Sequence, residues 1–413
     1  MIPFSSFTLA NGLQVLVHED PTVDIAVMNI LYDVGSRDEH PDKTGFAHLF
    51  EHLMFGGSVN IPSYDEPLQR VGGENNAFTN TDITNYYLTV PASNLETGFW
   101  LESDRMLSLS FEPRALEVQR SVVVEEFRQR YLSQPYGDVW LKLRPLAYHK
   151  HPYQWATIGK EIAHIENATL EDVKDFFFRY YRPDNAILVV AGKVEHNQVA
   201  ALSEKWFGPI PAGNIQPRQL PAEPAQREKR TLDTSAHVPA DALYKAYHMP
   251  GRFHPDYYAV EMLNDILSNG QSSRLIHKLV KEKEIFTSLS SHTMGSLDPG
   301  LWVVSGRVSQ GVSLTDAEKE IDQLLEDVVT NGVRESELNK VKNQAESMMA
   351  FDEVDVMNRA MNLAFAALSG DPHRVNHEAD MIRAVTTADV QRMAGEIFKE
   401  TNSSVLYYRS NPK

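Results

Sequence analysis

The 413-residue chain contains no cysteine. That absence excludes disulfides, a thiolate nucleophile and thiolate metal ligands, so any zinc site here must be assembled from His, Asp and Glu. Long apolar runs are missing too: nothing approaches the roughly 20 residues that cross a bilayer as a helix, and no membrane partner is expected. Phosphate-cradling glycine loops are lacking, since Gly56-Gly57 and Gly72-Gly73 have no supporting pattern around them and read as turns. Positive charge is scarce. With 39 Lys and Arg against 56 Asp and Glu, the formal net charge is −17, which argues against nucleic acid or anionic lipid as a partner and permits a basic substrate. The start, Met1-Ile2-Pro3-Phe4, has no basic or apolar leader segment, and strand-like alternation begins at Phe7-Thr8-Leu9. A cytoplasmic protein is expected, or a periplasmic one if a signal peptide has been removed.

What is present suffices for more than one core. The chain is 42% hydrophobic and 23% charged, as soluble globular proteins are, and its length suggests two or three domains. Five prolines between Pro209 and Pro224 cannot pair in a sheet or continue a helix, so residues 209–230 read as a linker. It separates a first domain, 1–208, from a second, 231–413. In both, β-branched strands such as Ile25–Leu31 and Ala186–Gly192 alternate with helical segments at Leu170–Tyr181, Asp316–Val329 and Glu335–Ala350. This is α+β organisation. The halves also look related: His40-Pro41-Asp42, then Ala47 and Leu53-Met54, returns as His254-Pro255-Asp256, then Ala259 and Asp265-Ile266-Leu267. In that register Val260, Leu263 and Asn264 stand where His48, Glu51 and His52 stand, so the second copy has no metal motif. Two unrelated amphipathic helices would give the same faint match.

The most informative stretch is His48-Leu49-Phe50-Glu51-His52. On a helix it sets two imidazoles and a carboxylate on one face. Neutral imidazoles one turn apart can share a zinc ion, and the carboxylate can deprotonate a water on it. The order inverts HExxH and matches the H-x-x-E-H pattern of inverzincins. Leu49, Phe50, Leu53, Met54 and Phe55 make the helix largely buried, where unpaired His and Glu are costly to desolvate. A third ligand must come from elsewhere in the first half. Glu126, in Arg120-Ser121-Val122-Val123-Val124-Glu125-Glu126, is the best candidate, although Glu125 and Glu126 read equally as surface carboxylates on a charged helix.

Taken together, the His48-to-His52 motif, Arg-x-Val-Val-x-x-Glu at Arg120 to Glu126, and Gly72-Gly73-x-x-Asn76-Ala77-x-Thr79 with Thr84-x-Tyr86 resemble the pitrilysin/insulinase metallopeptidase family. The short two-domain bacterial branch, similar to the mitochondrial processing peptidase beta subunit, fits best. His151-Pro152-Tyr153, Tyr181-x-Pro183-x-Asn185-Ala186 and Ser272-Ser273-Arg274-Leu275 extend the likeness over most of the chain. The resemblance implies two similar domains, each a mostly antiparallel sheet packed by helices, facing across a cleft. It implies one zinc per chain on His48, His52 and Glu126, with Glu51 as general base. Asn76, Ala77 and Phe78 match the edge strand on which the family lays an extended peptide substrate. A turn after Gly72-Gly73 is the plainer role for Asn76.

Two departures qualify the implied activity. Gln119 stands where the family often has a second glutamate, seven residues before the third ligand, and an amide there supplies no negative charge around the metal ligands. Val280 and Thr287 stand where self-sufficient members carry a substrate-contacting arginine and tyrosine. A paralogous partner subunit is therefore expected to supply that pair; a homodimer is the other assembly expected of such a chain. The alternative is a non-catalytic zinc-binding scaffold within a peptidase-like heterodimer. S-ribosylhomocysteine lyase shares the inverted motif but uses a cysteine ligand, which this chain cannot supply.

Overall fold

A computed structural model describes residues 1–213 and 218–411; residues 214–217 of the proline-rich stretch lie outside the described residues. Among the described residues, eleven strands form two sheets: β1 (Ser5–Thr8), β2 (Gln14–Glu19), β3 (Ile25–Tyr32), β4 (Glu74–Thr79), β5 (Thr84–Pro91) and β6 (Ala186–Gly192) in one, and β7 (Arg230–Ala236), β8 (Ala242–Met249), β9 (Phe286–Met294), β10 (Gly300–Val308) and β11 (Ser403–Ser410) in the other. The first runs β1-β2-β6-β3-β5-β4, the second β7-β11-β8-β10-β9. All neighbours are antiparallel except β2 with β6 and β7 with β11. The protein is α+β, with each mostly antiparallel sheet packed by helices.

Sequence dictates which strands are central. β6, Ala-Ile-Leu-Val-Val-Ala-Gly, is buried along its whole length, and β3 is buried from Ala26 onward, as apolar strands covered on both faces must be. β4, Glu-Asn-Asn-Ala-Phe-Thr, alternates exposed and half-buried residues and takes the sheet's edge.

The repeat is real at the level of topology. Without β1, the first sheet runs first strand, last, second, fourth, third, and the second sheet follows the same order. In both, the second strand leads through a His-Pro-Asp turn into a helix, Phe46–Leu53 (α1) in the first and Tyr257–Ser268 in the second. The turns are built alike: the N–H of Asp42 donates to His40 Nδ1, and that of Asp256 to His254 Nδ1, each at 3.2 Å. Where α1 carries His48, Glu51 and His52, the second helix buries Val260 and Leu263 in its core. Asn264 there accepts from Ser291 Oγ at 2.8 Å and Trp302 Nε1 at 3.1 Å.

The compact units do not follow one cut between 1–208 and 231–413. One comprises Met1–Arg128, Trp155–Leu220 and Ala350–His377; the other comprises Gln129–Gln154, Pro221–Met349 and Glu378–Lys413. Packing accounts for the two exchanged segments. Helix Val356–Leu368 lays Ala360, Leu363, Ala364 and Ala367 on Val27 and Leu31 of β3 and Val189 of β6. Helix Val139–Ala147 packs Val139, Leu143 and Ala147 against Ala242 and Ala246 of β8, Val303 of β10 and Leu406 of β11. Each helix thus covers a sheet face that would otherwise expose apolar side chains to water.

Candidate metal centre

α1 is eight residues long and amphipathic. Its buried side carries Phe50, stacked at 5.0 Å on Phe176 and 5.1 Å on Tyr181. The Phe50 carbonyl accepts from the Tyr86 hydroxyl on β5 at 3.1 Å. Tyr86 is in turn held by the buried Arg105 guanidinium, 4.4 Å above its ring and paired with Glu102. These contacts fix how α1 presents its opposite face.

That face holds the histidines. The imidazoles of His48 and His52 lie 4.9 Å apart between centroids, at 88°. Glu126, next to last in the helix Pro113–Phe127 (α2), reaches them: its Oε2 is 3.6 Å from His48 Nε2 and 3.5 Å from His52 Nε2. All three side chains are half-buried, and their candidate ligand atoms lie within 4.8 Å of one another. The two N···O separations exceed a good hydrogen bond. They match the separation of about 3.4 Å expected between donors about 2.1 Å from a shared tetrahedral ion. Two neutral imidazoles and one carboxylate also suit zinc chemically, so the residues fit the ion.

Glu125 and Glu126 have opposite fates. Glu125 is exposed and paired with Arg128 at 2.6 Å, while Glu126 turns to the histidines. Glu51 shares the histidine face. Burial raises its carboxyl above the usual range, against hydrogen bonding from Thr79 and the nearby His52; Glu126 adds to the rise. Gln119 lies on α2 about two turns before Glu126, half-buried.

Asn76, Ala77 and Phe78 occupy β4, opposite Tyr87, Tyr86 and Asn85, so Asn76 is a strand residue and not part of a turn. Its Oδ1 accepts the N–H of Ala77 at 2.8 Å. In the second unit, Val280 packs against the core and Thr287 donates its hydroxyl to the Arg307 carbonyl at 3.3 Å.

Sequence reading missed Glu39. It is buried, and its two carboxylate oxygens accept the N–H groups of Gly45 and Ala47, each at 2.9 Å. Burial acts to push the carboxyl up, opposed by the bonds from Ala47 and Gly45 and by Trp155, and acceptance of two N–H groups by its two oxygens is the geometry of the ionised form. The available signal was the lack of a capping side chain at Gly45, which leaves the N–H groups of a buried helix start in need of an acceptor.

Fold and donor set together define a protein able to hold a transition metal between two imidazoles and a carboxylate. Comparison with known families agrees. Residues 14–161 match the model described as Insulinase (Peptidase family M16), and residues 167–345 match Peptidase M16 inactive domain. The chain is 31% identical over 412 residues to the zinc protease PqqE of Helicobacter pylori, covering 98% of this chain and 92% of that protein. It is 26% identical to a probable mitochondrial-processing peptidase subunit beta of Schizosaccharomyces pombe, covering 96% and 89%. A crystal structure of a protease from Helicobacter pylori superposes with a TM-score of 0.92 at 30% identity, covering 99% of this chain and all of that one. The chain belongs to peptidase family M16, the insulinase family. Among the described residues, no helix is long and apolar enough to cross a membrane.

Proposed function

We propose that this chain is the zinc-dependent subunit of an endopeptidase acting on peptides or unfolded segments. The convergence of Glu126 on His48 and His52 carries the reading. One zinc ion would be held by these three residues, all within the unit of Met1–Arg128, Trp155–Leu220 and Ala350–His377. A bound zinc supplies Lewis acidity to a water and to the scissile carbonyl. Glu51 takes the proton from the attacking water and returns it to the leaving amine. An extended peptide adds to the free edge of β4 along Asn76, Ala77 and Phe78, where main-chain hydrogen bonds give affinity with little demand on side chains. Gln119 supports the ligands as a neutral neighbour and leaves zinc somewhat more weakly held than a glutamate would.

Val280 and Thr287 support dependence on a partner. A packed valine and a threonine already bonded to a backbone carbonyl cannot replace an arginine and a tyrosine aimed at developing charge, a contribution commonly worth a few kcal/mol. A paralogous subunit supplies that pair; a second copy of this chain, with the same Val280 and Thr287, does not. Peptidase assays of the isolated chain, and of the chain co-purified with its partner, test this. Weak hydrolysis alone and strong hydrolysis in the complex are expected; strong hydrolysis by the isolated chain contradicts partner dependence. Zinc binding without hydrolysis in either form favours a non-catalytic zinc-binding scaffold.

A further inference from the structure

α1 begins without a conventional cap. Gly45 sits in the left-handed region at φ 90°, and its side offers no acceptor. A Cβ at this position would meet the Ile158 carbonyl and the Ile165 side chain at 2.7 Å, so the chain has no room for a capping residue there. The four leading N–H groups of a helix need partners when buried. Glu39 satisfies two of them from outside the helix.

The platform beneath Glu39 is itself fixed. Ser36–Asp38 forms a single 3₁₀ turn, with the Ser36 carbonyl accepting from Trp155 Nε1 at 2.8 Å. Arg37, buried, reaches Asp33 at 2.9 Å and Asp82 at 3.0 Å. On the other side of the helix start, buried Thr44 accepts the Lys160 N–H at 2.8 Å, and its Oγ1 lies 2.8 Å from His164 Nδ1. Glu39 is thus a rigid strut, and a shift at Gly45 would carry His48, Glu51 and His52 with it.

We propose that Glu39 is a positioning residue: by gripping the first turn of α1 through both carboxylate oxygens, it sets the aim of the two histidines and hence the zinc affinity. The inference rests on the zinc reading given above. Ligand-orienting groups outside the coordination sphere typically change metal affinity by about 10–100-fold when removed. Gln has one acceptor oxygen where Glu has two, so Glu39→Gln should retain one of the two bonds and Glu39→Ala neither.

The test measures zinc affinity by competition with a chelator and amide exchange at Gly45 and Ala47, in the full chain and its variants. Expected is a graded loss of zinc affinity, about tenfold for E39Q and approaching about 100-fold for E39A, with faster exchange at both amides. Leu363→Ala, a core change distant in role, lowers global stability and should leave the zinc affinity of the folded protein unchanged. If E39A does not fold, E39Q decides. Wild-type affinity and wild-type exchange in E39Q overturn the proposal and leave the zinc reading intact. A wild-type chain that binds no zinc overturns the zinc reading itself, and this proposal with it.

Discussion

His48 and His52 meet nearly at right angles, with ring centroids 4.9 Å apart. One turn of α1 separates them, and both Nε2 atoms lie about equally far from the Glu126 carboxylate. That symmetry suits an ion shared by all three, because each donor can approach it without the helix deforming.

Glu51, on the same face, has a separable role. Glu51→Gln keeps the shape and removes the proton acceptor. Zinc content should stay at the wild-type level while peptide hydrolysis falls by about 10²–10⁴-fold. Metal analysis and a peptidase assay on the same preparation check this; full turnover in the variant removes Glu51 from the mechanism.

Acid sensitivity is predicted in the second unit at Glu337. Its oxygens accept from Arg274 Nε at 3.0 Å and Nη2 at 2.8 Å, and from the Arg334 N–H at 2.9 Å. Burial acts to raise this carboxyl, but the bonds from Arg274 and Arg334 win and hold it at about 2, against an ordinary 4.5. A depressed folded value means stability that is fully present above about pH 4.5 and lost as pH falls through about 2. Glu337→Gln should cost about 1–3 kcal/mol at pH 7. In urea titrations the difference from wild type should shrink as pH drops toward 2; a difference independent of pH contradicts the account.

Leu363 tests the assignment of Ala350–His377 to the first unit. It is fully buried in the cluster that includes Leu16, Val27 and Val189. Leu363→Ala should destabilise by about 2–5 kcal/mol, seen as a lower urea midpoint. An unchanged midpoint means the helix does not pack on that sheet.

Much of this was legible in advance, for physical reasons that differ by element. Strands β3 and β6 announce themselves because a run of Val, Ile and Leu has no stable place except a sheet covered on both sides. The helix at Leu170–Tyr180 is marked by its apolar period. His48, Glu51 and His52 were legible because one helical turn fixes their mutual placement. The choice between Glu125 and Glu126 was not legible from the residues alone: adjacent helical positions differ by about 100° in direction, and only packing decides which one faces inward. The exchange of Gln129–Gln154 and Ala350–His377 was hidden for a related reason. Periodicity reveals a helix's apolar face without revealing which sheet that face will cover. Glu39 lies outside the helix it caps, so no spacing within the motif points to it.

The most direct measurement is the zinc content and X-ray absorption spectrum of the purified chain, alongside Glu126→Ala and Glu125→Ala. The account predicts about one zinc per wild-type chain, with two imidazole nitrogens and oxygen donors at about 2.0–2.2 Å. Zinc should be weakened strongly in Glu126→Ala and retained in Glu125→Ala, whose parent side chain is paired with Arg128. Zinc bound equally well without the Glu126 carboxylate, or no zinc in the wild-type chain after supplementation, would contradict it.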